Sequence, residues 1–268
     1  MRTPKVSSVS AEPQLMANRV EWEPLGFSTP LDHYRVEGHS GSGWTLLGKT
    51  IFPFFLHDRL DPQGEKWKYR VIVVDAAGNT SGPSRPVRAA SLRSATTGTK
   101  LAALGEFDLR ASEFQFAPQG YKKIAEAYPD GEISIGADAT AEDVPYLLPG
   151  PKDKWGGKKS YTLHWDFDVA DKDISRANTV LALWVIDTTK LGGTLELKVN
   201  DFTTSLELPQ GGTAGSKNDD AHTATALKPA AFEIPLPDGT LAPGHNTLTA
   251  TLAEGAWLAW DAVGFFTV

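Results

Sequence analysis

Between residues 152 and 159 the chain reads Lys152-Asp153-Lys154-Trp155-Gly156-Gly157-Lys158-Lys159, with four lysines and one tryptophan in a glycine-containing run. An indole can stack on the apolar face of a sugar ring, and ammonium groups beside it can meet carboxylates through charge-assisted hydrogen bonds. An acidic saccharide is the ligand these residue types suit best. Tyr146, on the neighbouring loop, is a second aromatic within the same stretch. The competing reading is an ordinary solvated loop whose tryptophan anchors it to the core.

Catalytic patterns are hard to find elsewhere. The six histidines, His33, His39, His57, His164, His222 and His245, are dispersed and show no metal-ligand spacing. Gly38-His39-Ser40-Gly41-Ser42 fails the nucleophile-elbow pattern, because Ser42 stands where the second glycine belongs. Gly211-Gly212-Thr213-Ala214-Gly215-Ser216-Lys217 lacks the Gly-Lys-Ser/Thr ending of a phosphate loop and reads as a surface loop. Asp166 and Asp168 share one strand face, where paired acid–base carboxylates could sit, although a solvated outer face accounts for them as well. With no cysteine, disulfides, thiolate metal sites and cysteine nucleophiles are excluded.

The 268 residues are enough for two domains with their own cores. No run of eighteen apolar residues offers a membrane span. Met1-Arg2-Thr3-Pro4-Lys5 has no apolar stretch and is no signal peptide, so a secreted parent would have lost its signal or this is an excised piece. The net charge of −7 is unevenly placed. Residues 1–95 hold 12 Lys+Arg against 9 Asp+Glu, and residues 96–268 hold 14 against 24. A basic stripe is the footprint of a nucleic-acid binder, and the acidic second part argues against one. Acidity of this size serves solubility.

Short alternating runs bounded by Gly, Pro and Asp clusters predict strands throughout. Over residues 1–95 they include Val20-Glu21-Trp22, Tyr34-Arg35-Val36-Glu37 and Tyr69 to Val74, with Trp22 and Tyr69 as core aromatics. Residues 96–102, within a small-polar stretch over 89–102, read as a linker. Over residues 103–268, Tyr121, Ile124, Ala125 and Tyr128 predict a short helix that Pro129 stops. Tyr161, Leu163, Trp165, Phe167 and Val169 then alternate inward, and Val180–Ile186 is apolar enough for a central strand. Trp257 and Trp260 fall on opposite faces of one strand, so one of them should face outward or into a second layer.

Tyr69 to Ser81 resembles the last hairpin of bacterial fibronectin type III domains, with Tyr69 as a corner tyrosine whose hydroxyl is tied to backbone. Ala125 to Gly136, with its Tyr-Pro-Asp-Gly-Glu core, resembles the C-terminal jelly-roll module of polysaccharide lyase family 4, the rhamnogalacturonan lyases. Leu104-Gly105-Glu106-Phe107-Asp108 with Glu113-Phe114, Pro243 to Leu248, and Trp260-Asp261-Ala262-Val263 resemble further blocks of that module, in the family's order. The resemblance implies an all-β chain: a fibronectin type III-like sandwich over 1–95, then a galactose-binding-like jelly roll over 103–268. It also implies a non-catalytic, secreted, monomeric region of a bacterial pectin-degrading enzyme, whose lyase residues belong to an N-terminal catalytic domain. Its partners would be that domain and an acidic plant cell-wall polysaccharide. The alternatives are a structural spacer without ligand affinity, part of a complete rhamnogalacturonan endolyase whose activity needs that N-terminal domain, and an enzyme with a novel site of its own. No cofactor is required. By analogy with other carbohydrate-binding jelly rolls, a structural calcium would lie between the first and last strands, at Glu106, Asp108 and Asp261.

Overall fold

Alternating side chains build the first unit, which spans residues 1–97. In the computed structural model, which describes residues 3–26, 30–170, 178–212 and 227–268, seven strands of this unit form two sheets. Strands β1 (Ser10–Gln14), β2 (Ala17–Glu21) and β5 (Phe54–His57) make one sheet, in the order β1-β2-β5. The other holds β3 (Leu31–His39), β4 (Thr45–Thr50), β6 (Lys66–Asp75) and β7 (Val87–Ala90), in the order β4-β3-β6-β7. Every pairing is antiparallel. This is a fibronectin type III-like sandwich.

Its core is Val20 and Trp22 facing Tyr34, Val36, Tyr69, Val71 and Val73, all buried. Trp22 meets Tyr34 edge-on at 5.1 Å between ring centroids, a favoured aromatic geometry. The tyrosine–backbone tie expected at Tyr69 is made instead by Tyr34, whose hydroxyl accepts from Leu25 N at 3.3 Å. The Tyr69 hydroxyl turns to side chains. It accepts from Asn18 Nδ2 at 2.8 Å and lies 3.0 Å from His57 Nδ1. Burial pushes this phenol up to about 12 and lowers the imidazole of His57. A neutral His57 is then the natural acceptor of the Tyr69 proton. Removing the hydroxyl strands the buried Asn18 amide and leaves the half-buried His57 without this partner, which costs about 1–3 kcal/mol. Tyr69→Phe is therefore expected to lower the melting transition of this unit by several degrees, measured by calorimetry. An unchanged transition would show that the three groups are not coupled.

The last hairpin is only partly regular. Between β6 and β7 the chain holds its place through Ser81 and Ser84, whose hydroxyls accept from Val73 N and Val71 N at 3.0 Å each.

The second unit spans residues 98–268. Its first strand, β8 (Thr99–Gly105), takes up most of the stretch read as a linker and pairs with the last strand of the chain. After β8 come helix α1 (Lys122–Ala127), β9 (Glu132–Ile135), β10 (Leu147–Pro149), β11 (Thr162–Val169), β12 (Thr179–Thr188), β13 (Gly193–Val199), β14 (Phe202–Leu208), β15 (Ala230–Pro235), β16 (Gly244–Gly255) and β17 (Trp257–Thr267). One sheet runs β10-β17-β12-β15, with β8 also on β17; the other runs β14-β13-β16-β11-β9. Two five-stranded sheets thus form the jelly-roll sandwich.

Tyr161, Leu163, Trp165, Phe167 and Val169 all point into its core, and β12 is buried along nearly its whole length. Trp257 and Trp260 are both buried in that core, contrary to strict alternation. The reason is local. The pairing of β17 with β12 shifts register between Trp184 and Val185 and again between Val185 and Asp187. Bulges of this kind re-aim side chains. Trp184 faces the other side of the sheet, where Phe107 covers it edge-on at 5.3 Å. No helix among the described residues is long and apolar enough to cross a membrane.

Candidate functional site

The lysine–tryptophan loop hangs from the turn that joins β16 to β17. Gly150 N donates to Ala256 O at 2.7 Å and Lys152 N to Gly255 O at 3.0 Å. Asp153, nearly buried, then closes the loop from within: its Oδ1 accepts from Trp155 N at 2.9 Å, and its carbonyl accepts from Lys158 N at 2.8 Å. Burial raises the carboxyl of Asp153, while the amides of Trp155 and Gly156 pull it back down. Two glycines are needed here for different reasons. A Cβ on Gly156 would sit 2.6 Å from Pro149 Cβ, and Gly157 adopts φ +78°, a left-handed conformation that side chains disfavour.

The result is a stiff loop that presents its tryptophan outward. Trp155 is 55% exposed, whereas the seven other tryptophans are buried or half-buried. Lys152, Lys154 and Lys158, in the same loop, are exposed as well. Lys159 is turned away from this group: its Nζ donates to Pro129 O and lies 5.7 Å from the Tyr161 ring centroid. Tyr146 is corrected outright. It is 0% exposed, because its N and O are paired with Gln115 and Trp260 and its ring lies in the core, so it offers no surface to a ligand.

Two residues complete the site that local sequence did not reveal. Tyr121 meets Trp155 edge-on at 5.9 Å, and Lys122 Nζ lies 4.6 Å from the centroid of its indole. Tyr121 packs partly against the core beside the buried Ile124, as the apolar face of α1 predicts, and its ring also reaches Trp155. Lys122 thus replaces Lys159 as the cation nearest the platform. Exposed cation–π contacts are worth about 0.5–1 kcal/mol, enough to bias the orientation of the ring without burying it.

The expected calcium residues are brought together only in part. Asp261 lies at the register shift of β17 and is 0% exposed. Its Oδ1 accepts from Arg110 N at 2.7 Å, and its Oδ2 has no protein partner. Burial raises this carboxyl to about 7; the Arg110 amide opposes the rise, and the charges of Asp108 and Glu113 add to it. Glu106 does not act on it. The Glu106 side chain is exposed, and its amide donates to Glu113 Oε1 at 3.1 Å. Asp108 is occupied locally, its Oδ1 accepting from Arg110 N at 3.0 Å. Among the described residues no three acidic or histidine side chains group closely enough to hold a metal. Glu106, Asp108 and Asp261 as placed are therefore not drawn into one acidic cluster, and a calcium ion there would take most of its six to eight oxygens from other groups. Asp261 is a buried carboxyl, and burial favours its protonated form up to about pH 7.

The other candidates stay apart. Asp166 and Asp168 are exposed on the outer face of β11, with His245 Nε2 3.8 Å from Asp166. The Gly211–Lys217 loop from residue 213 onward, and His222, lie outside the described residues.

No protein-family model and no curated protein matches the sequence. Several solved structures are similar to about a third of it. A twitchin kinase region from C. elegans is 19% identical over 35% of this chain and 17% of its own, with a TM-score of 0.30. A β-1,2-glucanase from Parabacteroides distasonis is 20% identical over 33% of this chain and 14% of its own, with a TM-score of 0.27. A Fn3-like protein from Clostridium thermocellum is 18% identical over 33% of this chain and 92% of its own, with a TM-score of 0.28. This chain spans less than a fifth of the first two. The conclusion that rests on the geometry is an all-β chain of two sandwiches, the second carrying one exposed tryptophan with Lys122 over its ring and three exposed lysines in its own loop.

Proposed function

We propose that this chain is a non-catalytic, carbohydrate-binding accessory region that holds an acidic polysaccharide on Trp155. The observation that carries the reading is the 55% exposure of Trp155 on a loop stiffened by the buried Asp153. A large indole left mostly in water by a folded domain gains little for stability, about 1 kcal/mol or less from its contacts with Tyr121 and Lys122, and an aromatic platform is where a sugar face would stack. Lys122, Lys152, Lys154 and Lys158 supply charge for carboxylates in a unit that is otherwise acidic. The blocks that resemble polysaccharide lyase family 4 favour a pectic polymer, a secreted parent and a partner catalytic domain that performs β-elimination.

Affinity electrophoresis tests the reading. The full chain should be retarded by polygalacturonate more than by a neutral galactan, and less so as salt rises, because exposed charges are screened beyond about 8 Å at physiological ionic strength. Trp155→Ala should weaken retardation about tenfold, or ~1.4 kcal/mol, as for a central anchoring aromatic. Its melting temperature should stay nearly unchanged. Equal retardation by both polymers, or a variant that binds like the parent, would favour the structural-spacer alternative.

A further inference from the structure

The first unit carries a second cluster of cations that the jelly-roll site does not use. On the outer face of its four-stranded sheet, His39 pairs with Lys68, and Lys68 pairs with Arg88 across β3, β6 and β7. Directly paired residues project from the same face, so these three basic side chains form one row, and Lys66 stands two residues along β6 on that face. Like charges placed directly opposite in a sheet are destabilising. No acid on this face relieves them. The nearest in the ladder, Glu37, is committed to Arg35 at 3.0 Å and to Arg70 at 2.7 Å. Glu65 is occupied as well, accepting from Trp67 Nε1 at 2.9 Å and Asp61 N at 2.7 Å. None of Lys66, Lys68 and Arg88 makes an ion pair among the described residues.

These cations line an open groove of about 580 Å³, together with His39, Ser40 and Trp67. At its edge Trp44 is held upright, with Arg70 4.3 Å from its ring centroid and His39 edge-on at 5.6 Å. Cations, a flanking aromatic and a concave surface are thus assembled where folding alone would disfavour them.

We propose that this groove is a binding site for a carboxylated polysaccharide, in addition to the one at Trp155. The charge fits such a chain in particular. Three free cations within about 10 Å can meet a few carboxylates. A nucleic-acid binder commonly engages about 6–10 phosphates along a basic stripe, whereas here Glu37 neutralises the next cations on the face, Arg70 and Arg35, and leaves only Lys49, paired with Arg35, apart from the row. Arg88 offers the bidentate geometry for one carboxylate, and Lys66 and Lys68 act as point charges beside it.

The test uses the full chain with polygalacturonate as probe, first in the Trp155→Ala background. Residual binding should remain there and fall about tenfold when Lys68→Gln and Arg88→Gln are added, with a shallower dependence on salt. Arg88 is exposed and Lys68 half-buried on the outer face, and glutamine keeps most of the lysine's length, so the melting temperature should hold. If it drops, Lys66→Gln with Lys68→Gln repeats the test without touching β7. Unchanged binding in these variants would overturn the proposal, and so would binding of an oligothymidylate as tight as that of polygalacturonate. The two sites fail separately. Loss of all binding in Trp155→Ala alone removes this site, whereas no effect of Trp155→Ala beside a loss in Lys68→Gln/Arg88→Gln removes the other.

Discussion

Asp261→Asn is expected to gain stability relative to the natural chain as pH rises, by about 3 kcal/mol between about pH 5 and pH 8. The sign follows from the direction of the shift. Burial lifts the folded-state carboxyl to about 7, above its value of 3.8 in an open environment. Between those values the folded state keeps a proton that the unfolded state has released. Its contribution is therefore complete below about pH 4 and is lost as pH climbs through about 7. Each pH unit in that window is worth about 1.4 kcal/mol, and about two units lie between pH 5 and the folded-state value. Other carboxylates titrate too, so the informative quantity is the difference between variant and parent at each pH. Asparagine keeps the shape, and its carbonyl can still accept from Arg110 N. For a unit of this size the difference should open by roughly 5–10 °C in melting temperature. A difference that stays flat would mean that the carboxyl is held charged. In that case added calcium should raise the parent's melting temperature and leave the variant's unchanged.

Asp261 also shows what a sequence hides. Its neighbours Asp108 and Glu113 lie some 150 positions earlier, and what buries it is a register shift in β17 rather than any local pattern. The same shift carries Trp257 and Trp260 both into the core, although strict alternation sends one of them out. Period-two reasoning holds only while the ladder is regular. Along β11 it is regular, and every inward residue from Tyr161 to Val169 was legible. Strand β8 was not, because Thr99 is the one β-branched residue of Thr99–Gly105 and the small apolar residues after Lys100 run on without alternation, so that its pairing with β17 alone makes it a strand. Tyr146 was lost for a similar reason. It precedes a strand of only three residues, too short to print a period.

The candidate site divides along the same line. Trp155 and its lysines were visible because they are contiguous, and their exposure follows from glycines and an aspartate within the same eight residues. Tyr121 and Lys122 come from more than thirty residues upstream and reach the indole only once α1 is in place. Nothing in their own neighbourhood marks them. The cationic row of the first unit is hidden in another way, since Lys68 and Arg88 are spread over two strands and meet only through the register of β6 with β7.

Trp165→Ala should cost about 3–5 kcal/mol, the largest effect of a single truncation argued for this chain. Trp165 is buried between the sheets, 4.8 Å from Phe167 and 6.0 Å from Phe265 between ring centroids, while Phe167 and Phe265 stack at 4.5 Å. Its strand pairs with β16 on one side and β9 on the other, so the surrounding backbone has little freedom to collapse into the space left. The penalty is the lost transfer energy together with the cavity. For a unit of about 170 residues the melting temperature should fall by roughly 6–20 °C. Trp155→Ala removes the same side chain from a 55% exposed position and forfeits only the contacts with Tyr121 and Lys122, about 1 kcal/mol or less. Measured side by side, the two truncations should separate cleanly: one lowers stability and the other lowers polygalacturonate binding. A large thermal loss in Trp155→Ala with binding retained would return that indole to the core and leave the loop without a platform.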